Sequence, residues 1–286
     1  MTSPSTPDTS ASAQGPTLLL ENLSWPEVDA LRGDIEVVLI PVGSNEQHGP
    51  NLTVNYDIAH SAAICRELSR QMYPRVLVAP AIPWGVSHHH MNFPGTITLS
   101  TSTFIQVLLE VVASLQHHGF ERFLIVNGHG GNREPLGVAV VDIQEALEPT
   151  FIGALSPWSF HDPAAHEKHG KTAYAGHACE IETSIGLHLM PETVKQDALE
   201  VGGMTELATG FGSLLSKYSV SVAYRFDRLT TNGALGDATI STVEYGRDLV
   251  ESTLSGMAAF IEELILNAPI PDFADDDDGD DLLSDE

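Results

Sequence analysis

Short runs of β-branched and aliphatic residues recur along this chain, separated by stretches of helical periodicity: EVVLIP at 36–41, RVLVAP at 75–80, RFLIVN at 122–127 and TFIGAL at 150–155. Four to six consecutive apolar residues without polar alternation mark a strand buried on both faces. Between them, residues 57–71 carry helical spacing through Ile58, Ala62, Cys65 and Leu68. Residues 101–118 place Ile105, Leu108, Leu109, Val112 and Leu115 on one face, with Thr101 or Ser102 as the expected cap. Residues 132–147 and 180–190 read as further helices, and 237–266 as a long helical pattern broken near Gly246 or Gly256. Buried strands alternating with helices, without Asn-Gly hairpins between them, predict an α/β fold: a three-layer α/β/α domain with a mostly parallel sheet.

Charge limits the partners. The chain of 286 residues has 39 acidic and 13 basic side chains and a formal charge of −26. A nucleic-acid or anionic-membrane binder working by bulk charge is excluded. Eight carboxylates lie in residues 275–286, so most of the excess acidity is spread over the remaining chain. Only four basic residues are lysines, which points to a surface hydrated by carboxylates, as in a salt-loving source where screening blunts self-repulsion. With 42% hydrophobic residues the chain can bury a large core, and one domain over residues 17–270 is expected. Residues 1–16, rich in Ser, Thr and Pro, and the acidic residues 271–286 read as disordered tails. Cys65 and Cys179 form no CxxC pair and read as core thiols. No basic and apolar leader opens the chain and no run reaches the ~18–20 apolar residues of a membrane span, so a soluble cytoplasmic protein without a membrane partner is expected.

In open sheets of this class ligands collect beyond the carboxyl ends of strands. The first long apolar run leads into Gly43-Ser44-Asn45-Glu46-Gln47-His48-Gly49-Pro50, with Asp57 at the start of the next helix. RFLIVN leads into Gly128-His129-Gly130-Gly131-Asn132, and a third segment, Gly176-His177-Ala178-Cys179-Glu180-Ile181-Glu182, opens another helix. Imidazole and carboxylate together suit Zn²⁺, Fe²⁺ or Mn²⁺, and a bridging Asp is a common way to hold two such ions about 3.5–4 Å apart. A phosphate-binding module on the GHGG turn is disfavoured, since the Lys and the GxGxxG spacing are missing.

PVGSNEQHGPNLTVNYD at 41–57, NFPGTITL at 92–99, NGHGGN at 127–132 and HACEIETS at 177–184 together resemble the signature segments of the creatininase family of metal-dependent amidohydrolases, and GALGDATISTVEYGRDLVE at 233–251 resembles its late Gly-Asp segment. The resemblance covers roughly residues 18–266 and implies a centre of two divalent metal ions. By position it implies Glu46, Asp57 and His129 as ligands of the first ion, and His48 with bridging Asp57 for the second. In creatininase the second ion takes a further Glu two residues after the His of the NGH motif. Gly131 stands there in this chain, and Glu182 is the expected replacement, with Glu180 the competing choice. His177 resembles the family's general acid/base, with a pKa suited to neutral pH, while Glu182 is the alternative proton shuttle if it is not a ligand. The implied reaction is amide hydrolysis by a water that the metals activate, on a small-molecule substrate. A homo-oligomer is also implied, since relatives often form ring-like hexamers.

The substrate side is less uniform. His88, His89 and His90 stand where relatives show a Glu-His pair; alternation along an extended segment would point them apart, so they read as an active-site rim. His90 and Phe93 are candidate substrate contacts, and Trp158 aligns with an aromatic that packs on the substrate in creatininase. Two other creatininase aromatics are replaced, by Ala173 and Gly130, which weakens the case for creatinine. Arg133, at a helix N-terminus, is a candidate anchor for a substrate phosphate. The best-fitting branch is the deformylase of a formylaminopyrimidine ribosyl phosphate in flavin and deazaflavin biosynthesis. A creatinine-hydrolysing enzyme, a mycofactocin-precursor peptidase and a non-catalytic metal-binding protein are the alternatives.

Overall fold

A computed structural model describes residues 15–171, 176–208 and 222–266. Five parallel strands form one sheet: β1 (Leu18–Leu19), β2 (Val37–Val42), β3 (Val76–Val78), β4 (Arg122–Asn127) and β5 (Phe151–Leu155), in the order β1-β3-β2-β4-β5. Helices α1 (Trp25–Leu31), α2 (Tyr56–Gln71), α3 (Thr101–His117), α4 (Arg133–Leu147), α5 (Pro163–His169), α6 (Glu180–Leu189) and α7 (Val243–Phe260) pack around it.

Because side chains alternate along a strand, each strand feeds two separate cores. Val37, Leu39, Leu124 and Val126 point to the layer that holds α2, α6 and α7, where Ile64, Leu68, Ile185 and Leu249 meet them. Val38, Ile40, Phe123 and Ile125 point to the other layer, against Phe104, Leu108 and Val112 of α3 and Leu136, Ala139 and Ile143 of α4. Each such aliphatic side chain, fully buried, contributes about 1.5–3 kcal/mol. The three-layer α/β/α architecture read from the strand runs is the one found.

The differences from expectation are local. The α3 cap is Ser100, in extended backbone, with its hydroxyl accepting from Thr103 N at 3.2 Å, rather than Thr101 or Ser102. The α2 core stripe is rotated from the expected one: Tyr56, Asp57, His60, Ala63, Ile64, Cys65 and Leu68 are buried, so polar residues share the inward face. The long C-terminal helix is not broken at its glycines. A Cβ on Gly246 would lie 1.9 Å from Ser184 O of α6, and one on Gly256 would lie 2.7 Å from the Phe160 ring, so both glycines permit close approach. The interruption comes earlier, where the 3₁₀ turn Ala238–Ile240 ends and the Thr242 hydroxyl caps α7 by accepting from Tyr245 N. His88–His90 form a 3₁₀ turn and not an extended segment, with only His90 fully buried. Cys65 and Cys179 are buried free thiols, and burial pushes Cys179 up to about 12. The expected tails lie outside the described residues except for 15 and 16. Among the described residues no helix is long and apolar enough to cross a membrane.

Candidate metal centre

The sheet order reverses between β2 and β4: the chain moves outward from β2 to β3, then crosses back to β4 and β5. Val42 pairs with Asn127, so both strands end at one level and release the 43–50 and 128–132 loops side by side. The start of α2 packs against both loops, since a Cβ on Gly43 would lie 2.5 Å from Ile58 N and one on Gly128 2.1 Å from Asp57 O, and the 177–182 segment meets the first loop where His177 Nε2 is 2.7 Å from Gln47 O. Tyr56 joins these pieces by donating its hydroxyl to Glu182 O at 2.6 Å, and Asn51 Nδ2 donates to Ala178 O at 3.1 Å and to Thr183 Oγ1 at 2.9 Å.

Glu46, His48, Asp57, His129 and His177 converge there, all nearly excluded from solvent. His48 Nε2 is 3.0 Å from Asp57 Oδ1, and His129 Nδ1 is 3.0 Å from Asp57 Oδ2 and 3.2 Å from Glu46 Oε1. Donor atoms of Glu46, Asp57 and His129 form one convergent group, and those of Glu46, His48 and His177 a second. A third combines Glu46 with His89 and His90. Short separations do not satisfy these atoms: Glu46 Oε2, Asp57 Oδ2 and His48 Nε2 are buried without a hydrogen-bond partner. Groups of this kind, buried and facing each other without donor geometry, fit a site for divalent cations.

The outer nitrogens agree with that fit. His48 Nδ1 is 3.3 Å from Glu46 O, His129 Nε2 is 3.2 Å from Val86 O, and His177 Nε2 is 2.7 Å from Gln47 O. A carbonyl only accepts, so each ring carries its outer proton and turns its other nitrogen inward, as metal-ligating histidines do.

Electrostatics within the protein follow from two buried carboxylates. Burial opposes ionisation of Asp57, but His48 and His129 outweigh it and hold the carboxyl well below its ordinary range. Glu46 is likewise lowered, with His129 prevailing over burial. Burial alone would lower His48; Asp57, helped by Glu182 and Glu46, raises it to about 9. His129 is raised well above its usual value, Glu46 and Asp57 overcoming burial. Protons on His48 and His129 thus balance the charge that divalent ions would balance on displacing them. His177 departs from expectation: burial, reinforced by His48, pulls it to about 3, so the ring is neutral and does not titrate near pH 7. Glu182 does, pushed up to about 7 by burial against the opposing pull of His48.

The glutamates of α6 diverge. Glu182 lies close enough to His48, Asp57 and Glu46 to feel their charge, and accepts a hydrogen bond from Ala178 N. Its carboxylate is nevertheless in none of the convergent groups. Glu180, the competing choice, turns the other way and accepts from Lys171 N at 3.1 Å. At Gly131 a Cβ would lie 2.5 Å from His129 Nε2, 2.5 Å from Val86 O and 2.7 Å from the His89 ring, so no side chain fits there. That crowding is the physical counterpart of the missing ligand.

Of the candidate substrate contacts, His90 is buried among the site's rings rather than on a rim, 4.7 Å from His177 between centroids. Phe93 packs in a small cluster with Phe226, Leu229 and Leu235. Arg133 lines a pocket of about 410 Å³ with Asn127, Ser156 and Ser159. Trp158 is half-buried in the turn Pro157–Phe160 after β5, and Ala173 lies outside the described residues. Sequence reasoning missed Phe226, whose ring centroid lies 4.0 Å from that of His90 in a tilted contact and 4.9 Å from that of His177 edge-on, because it belongs to no motif. It also passed over Gln47, whose place between Glu46 and His48 was the available signal.

Comparison with known proteins gives the arrangement a context. A family model described as Creatininase: Creatinine amidohydrolase matches residues 21–261. The mycofactocin precursor peptide peptidase of Mycobacterium ulcerans is 33% identical over 261 residues, 87% of this chain and 89% of that protein. Creatinine amidohydrolase of Pseudomonas putida is 28% identical over 198 residues, 63% of this chain and 75% of the relative. Among solved structures, a mutant creatininase of the Zn-Zn type superposes with a TM-score of 0.74 at 26% identity, covering 87% of this chain and 99% of its own.

Proposed function

The chain belongs to the creatininase family and is a metal-dependent hydrolase of amide bonds, and from that premise we propose that it cleaves an open-chain amide at the centre built around Asp57. The observation that carries this is the set of orphaned inward atoms, Glu46 Oε2, Asp57 Oδ2 and His48 Nε2, in a buried site. In the proposed assignment Glu46, Asp57 and His129 would hold one divalent ion, and His48 and Asp57 would contribute to the other, with Glu182 beside them. Two such ions, zinc, iron or manganese, would lower the pKa of a water and polarise the amide carbonyl when bound. His177 presents an inward Nδ1 lone pair, fixed by its outer bond to Gln47 O, which can accept a hydrogen bond from the attacking water and orient it, while Glu182, pushed up to about 7, can take the proton and return it to the leaving nitrogen. Phe226 closes one side of the site against bulk water.

An open-chain substrate is favoured over creatinine. The Mycobacterium ulcerans relative is a peptidase, matched over 89% of its length, which supports a peptide amide. One observation favours the formylaminopyrimidine ribosyl phosphate instead: the Arg133 pocket, with Ser156 and Ser159, suits an anionic group close to the β4 terminus. The two readings separate in one experiment on metal-loaded protein in molar salt, which the acidic composition calls for. Release of a peptide amine is the expected result. Formate release from the pyrimidine would favour the phosphate reading, and creatine from creatinine would refute both. A cytoplasmic homo-oligomer is part of the same proposal.

A further inference from the structure

Four histidines turn a nitrogen toward Glu46 or Asp57, and three of them donate their outer N–H to a backbone carbonyl. His90 is the exception. Its Nδ1 lies 2.8 Å from Nε2 of the Gln47 side chain. The orientation of that amide is fixed twice over. Gln47 Oε1 accepts from Gly49 N at 3.0 Å, and Nε2 donates to Gly233 O at 3.1 Å. Gly49 N can only donate and Gly233 O can only accept, so the amide cannot be flipped. The remaining Nε2 hydrogen therefore points at His90 Nδ1, which must accept it. The neutral ring then carries its own proton on Nε2, which is 3.3 Å from Glu46 Oε1. The cradle for Gln47 is specific: a Cβ on Gly233, whose φ is +89°, would lie 2.0 Å from Gln47 Oε1.

We propose that Gln47 holds His90 in the Nε2–H tautomer, making His90 a positioning donor to the Glu46 carboxylate and not a metal ligand. Glu46, His89 and His90 do converge closely enough to suggest a further cation position, but the inward nitrogen of His90 has no lone pair to offer. Gln47 thus acts on two rings in opposite senses. Its backbone carbonyl accepts a hydrogen bond from the outer N–H of His177 and leaves a lone pair inside, whereas its side-chain amide donates a hydrogen bond to the outer nitrogen of His90 and leaves an N–H inside. The inference rests on the proposed function only in taking Glu46 as a metal ligand.

The test is ¹⁵N NMR of the histidine rings in the full chain, metal-free and zinc-loaded, joined to zinc titration of variants. The expected spectrum shows the His90 proton on Nε2 in both forms. A proton on Nδ1, or an Nε2 that binds zinc, overturns the proposal whatever the protein hydrolyses. His90→Phe should weaken zinc binding about 10–100-fold, as loss of a donor to a ligand does, without lowering the number of ions bound. His90→Gln, which can restore an N–H, should recover much of that affinity. Gln47→Leu should give a mixture of His90 tautomers. Loss of a whole ion in His90→Phe would make His90 a ligand, and unchanged affinity would make it mere packing; either result refutes the proposal. Wild-type protein that binds no zinc would refute the dinuclear function, while the tautomer remains readable in the metal-free chain. Should a variant fail to fold, the wild-type spectrum alone still decides.

Discussion

On the α3–α4 side of the sheet the packing is apolar from one end of the strands to the other: Phe104, Leu108, Val112 and Leu115 lie on Val38, Ile40, Phe123 and Ile125. On the α2–α6–α7 side a similar aliphatic core, built on Ile64, Leu68, Ile185 and Leu249, gives way beyond the ends of β2 and β4 to Glu46, His48, Asp57, His129 and His177. Both layers meet the same strands. They differ in that α2 begins with Asp57 on its buried face, and α6 begins beside His177 and Glu182, so this layer brings charge inward where the other brings only volume. One side of the domain therefore secures the sheet, and the other also carries a cluster whose carboxylates need cations.

The contrast can be broken at several points. Glu46→Gln on the charged side should have the largest effect on activity, at least the order of 10²–10³-fold that loss of one electrostatic stabiliser causes, measured as kcat with metal in excess. Leu108→Ala on the apolar side should cost about 2–5 kcal/mol in urea unfolding, with metal content per folded chain unchanged. A fall in metal content there would mean that the layers are not separable.

The α2 layer should also show a pH signature. His60 is buried, and burial holds its imidazole at about 4, below the ordinary 6.5. Above 6.5 both folded and unfolded chains keep this ring neutral, and the stability is fully present. As pH falls from 6.5 toward 4 only the unfolded chain takes up the proton, so stability declines by about 3 kcal/mol across that window. Urea midpoints in metal-free protein check this, and His60→Leu should flatten the slope. The smallest effect belongs to the apolar side, where Ser100→Ala removes the α3 cap and should cost about 1 kcal/mol in the same unfolding measurement.

The two sides also differ in how far the sequence revealed them. Apolar runs and 3.6-residue periodicity located α3 and its neighbours, because there burial and hydrophobicity coincide. On α2 the same reasoning found the helix but turned it, since a buried stripe holding Asp57 and His60 is invisible to a hydrophobic pattern. The polar cluster was legible only as motifs: GSNEQHG, NGHGGN and HACEIETS announced residues that the strand ends then brought within 3–4 Å. Phe226 was not legible and Gly233 only as the start of the late motif, because their contacts with His90, His177 and Gln47 depend on a distant loop folding back over the site. Nor could spacing show that His88–His90 coil into a turn, or that burial would take His177 out of the neutral range.

Asp57 is the carboxylate that faces both His48 and His129, and the proposed centre would hold its two cations through it. Elemental analysis of protein purified in molar salt, beside Asp57→Ala prepared in parallel, tests it most directly. Two divalent ions per wild-type chain and a loss of both in the variant is the predicted result. Fewer than one ion per wild-type chain, or equal metal content in the two proteins, would contradict it.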